Sequence, residues 1–166
     1  MPQNKQKDKL LVFAVFALGI FLRCFMLTQL PAGLHQDEAF AGYEAWCLLN
    51  YGTDSHGYIN PVYFISWGSG MNALYSYMSI PFVALFGLVP LATRLPQCIF
   101  GCLSLIVFYA ILKKTNEKMA LSGLLLLAIN PWHIMMSRWG LESNLVVFFI
   151  LLGVLAVMQV FDGHDW

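Results

Sequence analysis

The chain has 166 residues, of which 59% are hydrophobic and 11% charged, against about 45–50% and about 25% in soluble domains. Several apolar runs approach the roughly 20 residues needed to cross a bilayer, so membrane spans account for the excess. A net charge of zero, with no basic stripe or nucleic-acid motif, excludes a nucleic-acid partner. Cys24, Cys47, Cys98 and Cys102 show neither CxxC spacing nor scaffold density and read as buried thiols.

Lys5, Lys7 and Lys9 lead into an apolar run over residues 10–30. The run outlasts a signal-peptide core of roughly 7–15 residues and ends without a small-x-small site, so it predicts a permanent anchor. Arg23 falls about two-thirds of the way along, where a guanidinium must either snorkel or face a polar cavity. Residues 33–70 then turn polar and aromatic. Within them, residues 37–50 predict a short amphipathic helix, with Asp37 near its N-terminus, Gly52 just past its end, and Phe40, Tyr43 and Cys47 on one face. Residues 71–89 form either a short span or a helix lying in the interface. Tyr58, Tyr63, Phe64, Trp67, Tyr75 and Tyr77 suit an interfacial belt, and could also stack on sugars. Clearer runs follow at 95–112, at 119–129 with room to extend through Trp132, and at 145–161.

The second lysine cluster, Lys113, Lys114 and Lys118, decides between topologies, because lysines near span ends mark cytoplasmic loops. Both clusters fall inside only if residues 71–89 do not cross. The expected arrangement is therefore a cytoplasmic start (1–9), spans at 10–29, 94–112, 118–132 and 143–161, and a cytoplasmic end (162–166). Between the spans lie an outer loop at 30–93 with juxtamembrane helices at about 37–50 and 71–89, a cytoplasmic loop at 113–117, and an outer loop at 133–142. This brings Asp37, Glu38, Arg94, Arg138 and Glu142 to one outer face.

Adjacent carboxylates at the mouth of a helix bundle can serve as a general base, bind a divalent cation or satisfy nearby arginines. Asp37 and Glu38 form such a pair, and Glu142 adds a third acid four residues after Arg138, a spacing that also makes an ordinary helical ion pair. Arginine binds phosphate bidentately, so Arg94 and Arg138 beside carboxylates suit transfer from a phosphate leaving group. His35, two residues before Asp37, would complete a His-x-Asp-Glu cation site, although no closed zinc pattern is present. His56 and His133 read as interfacial, and His164 lies near the cytoplasmic end.

The segments GLHQDEAFAGYEA, YGTDSHGYINPVYFISWGSG, FGLVPLATRLP and NPWHIMMSRWGLES, in that order, resemble the N-terminal part of lipid-carrier-dependent glycosyltransferases of the GT-C type. The nearest group is family 39, dolichyl-phosphate-mannose-protein mannosyltransferase-like, with the bacterial protein O-mannosyltransferases and aminoarabinose transferases. The resemblance implies an all-α polytopic membrane protein, the N-terminal transmembrane module of a GT-C fold, with about four crossings and one or two juxtamembrane helices. It implies a transferase in the cytoplasmic membrane whose active face is extracytoplasmic. Asp37 would be the catalytic base, Glu38 would position substrate or a cation, and Glu142 would fill the second acidic position. Arg94 and Arg138 would hold the phosphate of a polyprenyl-phosphate sugar, with Tyr43 also binding substrate, in a single inverting displacement onto an unspecified acceptor.

Members of that family usually carry many more transmembrane helices, so the chain is expected to correspond to the front of such an enzyme. An inactive fragment, a subunit completed by a second chain, and a small transporter or scaffold are the alternatives. The transporter reading is weakened because the acidic groups fall in loops and no internal repeat is visible.

Overall fold

The computed structural model describes residues 2–162, with side chains from 6 to 161. Residue 1, residues 163–166 of the expected cytoplasmic end (162–166) with His164, and the Lys5 side chain lie outside the described residues. The elements in chain order are α1 (Pro2–Cys24), α2 (Gln36–Tyr51), the strands β1 (Tyr63–Ser66) and β2 (Ser69–Asn72), α3 (Leu74–Phe86), α4 (Pro90–Thr115), α5 (Glu117–Ile129), α6 (Pro131–Arg138) and α7 (Glu142–Asp162). The protein is an all-α polytopic membrane protein, and the one sheet among the described residues is the small antiparallel hairpin β1–β2, with Phe64 opposite Met71.

Among the described residues two helices, α4 and α7, are long and apolar enough to cross a membrane, and α5 with α6 qualifies as a pair bent by 58°. Four spans were expected. The difference lies at α1, where Lys7, Asp8 and Lys9 are part of the helix itself, and at the α5–α6 break. Pro131 cannot continue α5, and the Asn130 side chain accepts from the backbone N–H of His133 to start α6 afresh. At 13 residues, α3 spans about 20 Å, well short of a hydrocarbon core of roughly 30 Å.

The helix α2 begins with a reciprocal cap. His35 Nδ1 accepts from Asp37 N at 3.2 Å while Glu38 Oε2 accepts from His35 N at 3.0 Å. It ends at Gly52, in the left-handed conformation (φ 70°), whose N–H returns to Leu48 O. Ala41 and Ala45 are fully buried, and these small side chains let α2 lie close against α3 and α4. Ala41, Phe64, Met71 and Tyr75 form one core with Leu145 of α7; Leu105, Leu124 and Ala128 form another between α4 and α5. The expected aromatic belt is therefore divided. Tyr58, Tyr63 and Trp67 are exposed, Phe64 and Tyr75 are buried, and Tyr77 donates to Pro61 O.

Three arginines replace the backbone partners lost where helices break. Arg23 does not snorkel. It is fully buried, and donates to Leu127 O and Ala128 O at the end of α5, to Gly19 O, and to His133 Nδ1 at 2.8 Å. This supplies what a broken helix needs inside a membrane, and it takes His133 away from the interface. Arg138 donates to Leu22 O, Phe25 O and Leu30 O just where α1 ends, a position that also suits a cation at the negative end of the helix dipole. Arg94 does the same for the 25–34 linker, through Leu27 O, Pro31 O and Gly33 O.

Candidate active site

Of the polar residues singled out from the sequence, His35, Asp37, Glu38 and Arg94 meet at the first turn of α2, and they divide into a buried set and an exposed one. Glu38 is fully buried. Its Oε1 accepts from Arg94 Nε at 3.0 Å and from Gly140 N at 2.9 Å; its Oε2 accepts from His35 N at 3.0 Å and Arg94 Nη2 at 3.3 Å. Four donors on one carboxylate leave no room for a metal ion or a substrate hydroxyl. The five N–H groups of Arg94 are likewise all engaged, three by carbonyls and two by Glu38. Arg138 spends its contacts on the end of α1. In this geometry the Arg94 and Arg138 guanidiniums are spent on backbone carbonyls and, for Arg94, on Glu38.

Gly140, in the α6–α7 connection, owes its place to this junction. A Cβ there would stand 2.8 Å from both Thr93 O and the Tyr75 hydroxyl. Tyr75 donates to Thr93 O at 2.6 Å, and burial pushes its phenol well above the usual range, so it stays a donor.

Asp37 faces the other way. Its side chain is 44% exposed, and its one ion-pairing-distance neighbour among the described residues is the His35 imidazole, with Nδ1 3.5 Å from Oδ2. Because His35 Nδ1 already accepts from Asp37 N, the ring proton belongs on Nε2, and the Asp37 carboxylate keeps its lone pairs for an outside partner. The His35 ring meets Trp139 edge-on, with centroids 5.3 Å apart, so the acid sits beside an aromatic wall. His35, Asp37 and Glu38 therefore do not form a three-ligand cation site.

Glu142 does not join them. It lines a cleft of about 340 Å³ with Asn72, Leu74, Leu145 and Phe149, and it makes no ion pair with Arg138 among the described residues. Tyr43 is exposed and stacks on Trp46 (6.0 Å, 16°), which meets Tyr51 edge-on, so α2 carries an open aromatic strip. Phe40 packs on the core and Cys47 is buried, so the face expected to hold all three is split. A hydrogen bond with Cys47 pushes the Tyr43 phenol up, and burial pushes the Cys47 thiol up.

Sequence reasoning missed Glu44. Fully buried, it accepts from both the backbone N–H and the hydroxyl of Ser55, and so pins the 53–59 loop to α2. Asp54 in that loop accepts from His56 N and Tyr58 N, a turn visible in the Asp-Ser-His-Gly run.

Comparison with curated proteins and with solved structures finds no match. Comparison with protein families matches residues 11–165, nearly the whole chain, to the dolichyl-phosphate-mannose-protein mannosyltransferases. That family comprises membrane glycosyltransferases that use a lipid-linked donor, in keeping with the apolar helices. The chain belongs to the dolichyl-phosphate-mannose-protein mannosyltransferase family.

Proposed function

We propose that this chain carries the acceptor-activating side of a glycosyltransferase that moves a sugar from a polyprenyl phosphate to a hydroxyl-bearing acceptor outside the cytoplasm. The observation that carries the reading is the contrast within one helical turn. Glu38 and Arg94 are saturated, whereas Asp37 is open and holds an unclaimed carboxylate. Asp37 takes the proton of the acceptor hydroxyl as its oxygen attacks the anomeric carbon, and the lipid phosphate leaves from the opposite face with inversion. His35 offers Nε2–H as a donor at the same rim, and Tyr43 with Trp46 offers a stacking surface for a sugar. Glu38 and Arg94 position the base by fixing the start of α2.

The arrangement of the bundle supports an outward-facing site. Asp8 and Lys9 of α1 line one cleft with Lys113 of α4 and Glu117 of α5, so both lysine clusters lie at the same end. At the other end Cys24 meets Cys98, near the junction with α2. With lysines inside, α1 crosses with its charged first turns among the cytoplasmic headgroups, and Asp37 faces outward from the cytoplasmic membrane. A transport pathway fits less well, because Arg23, Arg94 and Arg138 are tied to backbone carbonyls.

The test is transfer of radiolabelled sugar from polyprenyl-phosphate donors in membranes carrying this chain, alone and beside chains encoded next to it. Transfer that Asp37→Asn abolishes supports the reading, and transfer indifferent to Asp37→Asn sinks it.

A further inference from the structure

Cys24, the last residue of α1, meets Cys98 and Cys102, one turn apart on α4. The three Sγ atoms all lie within 4.8 Å of one another, and Cys24 and Cys98 are 3.4 Å apart. Metal–sulfur bonds of about 2.3 Å place the sulfurs of a three-thiolate site roughly 4 Å apart, so small side-chain rotations would close these thiols around one ion. A disulfide would use two of the three and leave the third without a role.

Charge selects the kind of ion. Arg23 acts electrostatically on all three thiols, and Arg138 acts on Cys98 and Cys24. Both guanidiniums are held by carbonyl oxygens, and neither has a carboxylate partner among the described residues. A monovalent ion on three thiolates carries a charge of −2, which the two arginines cancel, whereas a divalent ion would leave an uncompensated positive charge in an apolar setting. Thiolates favour soft cations.

We propose that Cys24, Cys98 and Cys102 form a site for one soft monovalent cation of the Cu⁺ type, which clips the end of α1 to α4. Binding is ligand exchange with no change of oxidation state. Three S–H bonds give up their protons to solvent as three Cu–S bonds form. Cys47, buried on α2 away from the cluster, is the built-in control.

The experiment uses the full chain, purified in detergent under reducing, oxygen-free conditions, and titrated with the coloured Cu⁺–bicinchoninate complex. One Cu⁺ per chain should be withdrawn from the dye. Cys24→Ser, Cys98→Ser and Cys102→Ser should each weaken uptake by at least about 100-fold, the upper end of what losing a supporting hydrogen bond costs a metal site. Cys47→Ser should leave uptake unchanged. In the unmutated protein, prior Cu⁺ loading should protect Cys24, Cys98 and Cys102 from maleimide, read peptide by peptide in a mass spectrometer, so the test survives a variant that fails to fold. Failure to withdraw Cu⁺, full labelling after loading, or a Cys24–Cys98 disulfide in the reduced preparation would overturn the proposal.

Discussion

The two faces of the first turn of α2 carry adjacent carboxylates with opposite employment. Behind the turn, Glu38 is closed in by four donors from three parts of the chain. In front, Asp37 meets water and one imidazole. A base must reach an incoming hydroxyl, and a tether must reach nothing else, so the proposed function gives chemistry to Asp37 and framework to Glu38. It also predicts that the two neighbours fail in different assays.

The largest effect is expected in front. Asp37→Asn removes a proton acceptor while keeping shape and exposure, so transfer should fall by about 10²- to 10⁴-fold, with unfolding in detergent unchanged within error. A matching loss of stability would merge the two faces and remove the distinction. Behind the turn, Glu38→Gln or Arg94→Met should cost about 3–5 kcal/mol of stability, because each strands a buried charged partner. Denaturant unfolding in detergent would show it. The double variant Glu38→Leu/Arg94→Met should recover only part of that loss. Arg94 also serves Leu27 O, Pro31 O and Gly33 O, which no apolar side chain can satisfy; full recovery would show that these carbonyls find other donors.

Gly140→Ala presses on the same junction by volume instead of charge. The added methyl would meet Thr93 O and the Tyr75 hydroxyl at 2.8 Å, one of them backbone, so the α6–α7 connection must move. A destabilisation of about 1–3 kcal/mol is expected. Transfer should survive wherever the protein folds, because Asp37 lies on the other face.

Patterns set by local rules were legible in the sequence, and long-range partnerships were not. The helix expected at 37–50 occupies Gln36–Tyr51, and Gly52 ends it, because caps are written within a few residues. The 71–89 segment shortens to Leu74–Phe86 because its first residues pair as a hairpin, whose turn lies in the Trp-Gly between Ser66 and Ser69. The fates of the arginines were hidden for another reason. A charged side chain in an apolar run announces that it needs partners without naming them, and here the partners of Arg23 and Arg138 lie more than 100 residues away, at helix ends whose positions depend on the fold. The phosphate role was the natural reading for arginines beside acids. In the structure those donors go to carbonyls freed at helix ends, which are costly to leave unpaired.

The smallest effect sharpens what the open face recognises. Tyr43 stacks on Trp46 with its phenol exposed, so Tyr43→Phe should change stability by no more than about 0.5 kcal/mol. Two roles for this strip then diverge in kinetics. A ring that stacks on a sugar keeps its function as phenylalanine and loses it as alanine, so Tyr43→Ala should raise KM several-fold with kcat little changed, and Tyr43→Phe should match the unmutated chain. A ring that only anchors α2 at the headgroups should leave KM untouched in both variants and loosen membrane association of the outer loop instead. Because Tyr43 lies almost two turns along α2 from Asp37, a KM effect would also extend the open face beyond its single acid and give the acceptor or the donor sugar a direction along the helix.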